Sequence, residues 1–226
     1  MAGPVPIAVP LSRQERALQT RRKILDAAVE LFSQRGYESV AAGDVAERAG
    51  VAHGLVFHHF GNKRGLYLEA VREISDRLFG LPPEVPADGP PGVALRAVLR
   101  QHFLRVADHK AVVLGFMRGS FGIATDSEAW EALEEIRLGM VGWLCDLLGL
   151  DGGSRALQLT VRTAGDVLDG IAVRWLEHDC DLPVDNLVEA MVQFVVGSLQ
   201  AACCLDAKLD VSEAIARLTS PPRRRS

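Results

Sequence analysis

Apolar residues recur at intervals of three and four along most of this chain. Ile24, Ala27, Ala28, Leu31 and Phe32 set that period first, and one apolar face at helical spacing predicts a helix. Thr20 is a candidate N-cap and Gly36 a candidate terminator, which places this helix at residues 21–35. Two short helices follow at about 42–49 and 52–59, separated by Gly50-Val51, and a longer one runs from after Asn62 to about residue 79. The segment 81–92 then holds five of the eleven prolines. An interior proline costs a helix about 3 kcal/mol, so this stretch predicts a loop and a boundary. Further helices are predicted near 93–107, 111–119, 127–148, 154–177, 184–205 and 211–218, with breaks at Gly152-Gly153 and Asp181-Leu182-Pro183. With no β alternation and no internal repeat, the fold class is all-α.

The chain has 226 residues, of which 48% are hydrophobic and 24% charged. That is the balance of a folded globular protein with a substantial core. The net charge of −4 argues weakly against a nucleic-acid partner until it is divided. Residues 1–66 carry about +3, residues 67–222 about −10, and the arginines at 223–225 restore +3. A basic end on an acidic body is what a protein with one nucleic-acid-binding end carries. The richest apolar run, 187–205, is interrupted by Glu189, Gln193 and Gln200, so no membrane span is expected. The start MAGPVPIAVP lacks the basic and long apolar regions of a secretory signal. Its prolines predict a disordered arm over 1–12. Cys145, Cys180, Cys203 and Cys204 form no CxxC pair, which points to reduced thiols, no zinc site and a cytoplasmic protein.

Residues 40–63, VAAGDVAERAGVAHGLVFHHFGNK, carry the functional signal. Val45, Ala46 and Ala49 can face inward while Asp44, Glu47 and Arg48 face outward. Ala46 is small where two helices must cross. Gly50 stands where a tight turn needs positive φ. Val51 and Val56 can lock the second helix across the first. A turn this short forces a steep crossing, as in helix–turn–helix units whose second helix enters the major groove. Lys63 follows Asn62, a good N-cap, and so lies in the first turn of the next helix. A cation there opposes the helix dipole unless an anion arrives, and a phosphate is the fitting anion. Adjacent His58 and His59 point to different sides of a helix and suit no shared metal. His58 is a candidate phosphate contact and His59 a structural residue. Arg13, Arg16, Arg21, Arg22 and Lys23 supply a diffuse positive field. The run His178-Asp179-Cys180-Asp181 reads as a polar turn rather than a metal site.

The stretches TRRKILDAAVELFSQRGY and DVAERAGVAHGLVFHHFGNKRGLYLEAV resemble the N-terminal domain of the tetracycline-repressor (TetR) family of bacterial regulators. The aromatic–x–x–Phe element, here Phe57-His58-His59-Phe60, and Lys63 three residues later carry the likeness. The resemblance implies a helix-turn-helix domain at 13–66, with its helix-turn-helix at about 41–60. It also implies a helical effector-binding and dimerisation domain at 67–219, followed by a basic tail at 220–226. DNA contacts are then expected from Ala42, Gly43, Ala52, His53, Gly54, Leu55, Phe57, His58 and Lys63. The chain departs from the family where members often carry Thr near 41, a polar or basic residue at 43, Ser at 52, Lys at 53, Thr at 55 and Tyr at 57. Here stand Ala41, Gly43, Ala52, His53, Leu55 and Phe57. Ala52 cannot cap as Ser would, a difference of about 1 kcal/mol. Base reading would fall to His53 and Leu55, the latter against a thymine methyl.

A reader of one half-site gains specificity by dimerising on a palindrome. The two long C-terminal helices are the candidates, with Leu168, Ile171, Trp175, Leu187, Met191, Phe194, Val195 and Ser198 at the interface. Leu159, Val167 and Val173 form a second apolar flank, and Gly197, Ala201 and Ala202 permit close approach. A largely apolar small-molecule effector would occupy a pocket of aromatic and polar groups. The candidates are His102, Phe103, Arg105, Phe116, Met117, Phe121, Trp130, Trp143, Arg162 and Asp166, with Met140 and Asp169 nearby. Arg162 and Asp166 are also spaced to pair with each other. No nucleophile elbow, phosphate loop or metal spacing supports an enzyme. No cofactor is expected. The rival to an effector-released regulator is a ligand-independent dimer of low sequence specificity, motivated by the missing hydroxyls.

Overall fold

The computed structural model describes residues 12–79, 89–119 and 127–219. Every regular element among them is a helix.

α1 (Arg13–Arg35) begins two turns before the expected position. Its cap is Ser12, not Thr20. Ser12 Oγ accepts from the Glu15 N–H at 3.2 Å, and the Glu15 carboxylate accepts from the Ser12 N–H at 2.7 Å. This reciprocal Ser-x-x-Glu box satisfies two amides that the helix itself leaves open. Thr20 instead donates its hydroxyl back to the Arg16 carbonyl. Gly36 ends the helix at φ 71, in the left-handed range.

α2 (Ala42–Ala49), α3 (His53–Phe60) and α4 (Lys63–Phe79) complete the N-terminal unit. Gly50 closes α2 at φ 66, ψ 38, where a Cβ would be strained, and so turns the chain into α3. Val45 and Val56 are fully buried, and Ala46 is nearly so. Val51 packs partly buried against the same core. Asn62 caps α4, its side-chain oxygen accepting from the Gly65 N–H at 2.8 Å. α4 runs unbroken across residues 66 and 67, so the expected domain border falls inside a helix that both units share.

α5 (Pro91–Asp108) starts inside the proline-rich stretch, because proline's fixed φ suits a first helical position. The rest of the body is α6 (Lys110–Gly119), α7 (Ser127–Leu148), α8 (Arg155–Glu177), α9 (Val184–Leu205) and α10 (Ser212–Thr219). α8 and α9 pack along their lengths. The Trp175 indole N–H donates to the Leu182 carbonyl at 3.0 Å and ties down the turn between them. Asp179 and Cys180 take positive φ in that turn, and Asp179 pairs with Lys110 at 2.7 Å, consistent with a polar turn. α9 is long and apolar enough to cross a membrane by length and composition, with a mean hydropathy of 1.5. In the fold Val192, Leu199 and Ala202 of α9 are fully buried against the other helices.

Two contacts join the body to the N-terminal unit. α4 touches α1 and α3 on one side and α5 and α7 on the other. α6 crosses α1 so closely that a Cβ at Gly115 would lie 1.9 Å from the Ser33 carbonyl oxygen. One continuous core therefore spans both units.

Candidate nucleic-acid interface and effector cavity

α3 turns Val56 and Phe60 inward and leaves His53, Gly54, Leu55, Phe57 and His58 outward. Leu55 is 37% exposed and Phe57 41%. Both are large apolar side chains on the outer side of a short helix. The His53 and Phe57 rings meet edge to face at 5.0 Å, which fixes both on one side of the helix. His59 is half-buried, and that burial, then the charges of His58 and Arg21, push its pKa down. Both effects favour the neutral ring.

Gly43 is exposed at the start of α2, where an added Cβ would come within 3.9 Å of the His53 imidazole. The beginnings of the two helices thus lie side by side. Ala42 is the exception among the expected contacts. Its side chain is buried in the core, leaving only its backbone available. Ala41 and Ala52 make no side-chain cap. Asp44 supplies half of one, accepting from the Ala41 N–H at 3.0 Å. The Lys63 ammonium lies 4.3 Å from the centre of the Tyr37 ring. That cation–π contact holds it in place at the first turn of α4.

Ion pairs occupy much of the unit's positive charge. Arg21 binds Glu69 at 2.9 Å, Arg22 binds Glu73 at 3.0 Å, Arg48 binds Glu30 at 2.7 Å, and Arg35 pairs with Asp44. The Arg48 hydrogen bonds hold the Glu30 carboxyl below its ordinary range. These pairs brace the helices and leave less charge for a diffuse field than a count of cations implies.

In the body, α5, α7, α8 and α9 line a partly open apolar cavity of about 80 Å³. Leu95, Val98 and Leu99 line it from α5, Met140 and Leu144 from α7, and Met191 and Val195 from α9. Two expected effector residues, Trp143 and Arg162, do line it. Four others do not. Phe103 is fully buried core, packed edge to face on Trp175 at 5.7 Å. His102 is buried beside it, Arg105 lies away from the lining, and Asp166 is half exposed. The side chains of Phe116, Met117 and Trp130, and residue Phe121, lie outside the described set. The walls are mostly aliphatic because core aromatics fill the space beside the cavity instead.

Its polar edge is an ion network between α7 and α8. Arg137 pairs with Asp169 at 2.9 Å, and Arg162 pairs with Glu134 and Asp166, each at 2.7 Å. Arg162 holds Glu134 below the ordinary carboxylate range. Burial pushes Asp169 up, against the pull of Arg137.

Residues 24–70 match the model of the bacterial regulatory proteins of the tetR family. The transcriptional repressor KstR2 of Rhodococcus jostii is 28% identical over 79% of this chain and 90% of its own. The transcriptional activator FasR of Mycolicibacterium smegmatis is 28% identical over 84% and 85%. Residues 24–70 are a tetR-family domain. The chain is a DNA-binding transcriptional regulator. The fold agrees. The structure of FadR from Bacillus subtilis, solved with stearoyl-CoA, superposes with a TM-score of 0.61 at 19% identity, over 78% of this chain and 98% of that one.

Within this tetR-family fold, the expected dimer residues divide in two. Leu168, Trp175, Leu187, Met191 and Val195 are buried inside the chain itself, and three of them line the cavity. The apolar stripe expected at a partner face is the one that faces the protein's own core. Ile171 is half-buried against that core. Phe194, at 48% exposed, and Ser198 lie on the opposite side. There they share an open groove between α8 and α9 with Leu159, Val167, Gly197 and Ala201.

Proposed function

We propose that this regulator is a homodimeric repressor that binds a palindromic operator and is released by a small, largely apolar effector. The observation that carries this reading is the placement of the cavity. Its walls, α5 and α7, are also the body helices that grip α4. α4 begins at Lys63, immediately after the outward-facing α3. An effector that parts α7 from α8 therefore bears on the helix that sets the angle of α3. The room between the walls is small, about 80 Å³, so a larger effector widens it on binding. Binding and opening are then one event, and an effector shifts the equilibrium only by its preference for the open state. Repression rather than activation follows the R. jostii relative; the M. smegmatis relative is named an activator.

Dimerisation is assigned to the groove between α8 and α9. Gly197 and Ala201 are small enough for a partner's helices to approach closely, and Leu159 and Phe194 offer apolar surface. Two copies joined there would present two α3 helices to successive major grooves, about 34 Å apart.

The test starts from a duplex site selected out of a random pool by the full chain. Apolar ligands that raise the melting temperature are then titrated into the complex. Release of DNA supports the reading, and a stabilising ligand that leaves the complex intact removes the effector step. The second reading, a ligand-independent binder of low specificity, is favoured by the uncapped alanines at 41 and 52. It predicts nearly equal affinity for the selected site and random duplex at fixed salt.

A further inference from the structure

Arg105 on α5 is a half-buried cation with no counter-charge. Its Nε is sealed from solvent and makes no hydrogen bond. Burial alone pushes its pKa down, with no carboxylate pulling the other way. The other half-buried arginines described in the body are all engaged. Arg96 holds Glu189, Arg137 holds Asp169, Arg162 holds Glu134, and Arg217 donates to the Leu148 carbonyl. A buried donor left open is costly, and more so on a charged group.

Arg105 continues the cavity face of its helix. Val98 lines the cavity, and Arg105 follows it by seven residues. That spacing puts the two about 20° apart round the helix and about 10 Å apart along it. Helical side chains lean toward the N-terminus of their helix, and for Arg105 that is the direction of Val98. A second open donor lies on α4, which packs against α5. Ser75 is 1% exposed, and its hydroxyl makes no hydrogen bond. Helical hydroxyls commonly turn back to a carbonyl of the preceding turn, as those of Ser33 and Ser198 do.

We propose that the effector is an amphipathic anion, with its apolar body in the cavity and its head held by Arg105 and Ser75. Both groups donate, and the oxygens of a carboxylate or a phosphate accept. A neutral ligand would leave the guanidinium as it stands, buried and unpaired. A head drawn onto Ser75 also bears directly on α4. The inference rests on the effector reading above.

The test compares octanoate, octyl phosphate and 1-octanol, which share one tail, by calorimetric titration of the full chain at neutral pH. At least one oxyanion should bind about tenfold more tightly than the alcohol, and the tighter of the two identifies the head. Arg105→Met should bring that oxyanion down to the alcohol's affinity and leave the alcohol's own affinity unchanged. Arg105→Lys should keep part of the preference, and Ser75→Ala should weaken the oxyanion alone. Arg105→Met should also melt no lower than the wild type, since it removes a buried charge that holds nothing in the fold. Equal affinity for all three probes in the wild type, or a preference that survives Arg105→Met, overturns the proposal. Binding of the alcohol without the oxyanions also overturns it, and leaves the effector reading standing. Oxyanions that bind through Arg105 but leave the operator in place sink the effector reading and keep the site. If no probe binds, the site is overturned, and the ligand screen above decides the effector reading by itself.

Discussion

The guanidinium of Arg162 on α8 holds both carboxylate oxygens of Glu134 on α7, with Nη2 at 2.7 Å and Nε at 3.0 Å. Arg162 also lines the cavity, so this fork fastens two of the cavity's walls together. Its side chain is only 14% exposed and that of Glu134 32%, which puts the pair above the usual worth of a surface ion pair. Arg162→Ala should cost about 1–3 kcal/mol in urea unfolding. In a double-mutant cycle with Glu134→Gln, the coupling should be about 0.5–3 kcal/mol. Strict additivity would mean that the fork does not hold the walls.

The same pair sets a pH dependence. Arg162 keeps the folded Glu134 carboxyl below its ordinary value. Its contribution is therefore complete above the ordinary glutamate value, about pH 4.3, and is lost as pH falls through the lower folded value. Asp169 runs the other way, because burial raises it and protonation relieves that burial. Urea unfolding between pH 3 and 6 should show a flatter acid limb in Glu134→Gln than in the wild type. Parallel limbs would contradict this.

Gly115 is the tightest link between body and N-terminal unit. A methyl group there would overlap the Ser33 carbonyl, which is backbone and cannot swing aside. Gly115→Ala should force α6 from α1, lower stability by about 1–3 kcal/mol despite alanine's better helix propensity, and change operator affinity. A gain in melting temperature would show that the two helices part without cost.

Gly197 offers the opposite case, for an added Cβ there meets nothing within 4 Å inside the chain. Gly197→Arg should leave the fold's helical signal intact while blocking the approach of a second copy. Sedimentation over a range of concentrations should give a dimer for the wild type and a monomer for the variant. A variant that remains dimeric would move the interface away from this groove.

The helices were largely legible in the sequence because an apolar stripe at period 3.6 fixes both the type and the extent of a packed helix. The limits of α2, α7 and α9 follow it to the residue. The start of α1 does not. Its apolar stripe begins at Ile24, but the helix begins at Arg13, held by a cap instead of a core. Ser12-x-x-Glu15 was the available signal. Periodicity also cannot say which of two apolar stripes faces inward. On α8 the Leu168 and Trp175 stripe meets the core, while Leu159 stays outside. The cavity was the least legible feature. Large aromatics suggest a pocket by chemistry, but Phe103 and Trp175 fill space, and the void is left beside ordinary aliphatic residues such as Leu95 and Val98.

The most direct test of the account is to follow the dimer on its selected operator by anisotropy while titrating an apolar ligand known to enter the cavity. Entry can be established beforehand by loss of binding when Leu99 is enlarged to Trp. The account predicts that saturating ligand releases the DNA in the wild type and leaves the Leu99→Trp complex untouched. Ligand that fills the cavity while the operator stays bound with unchanged affinity would contradict it.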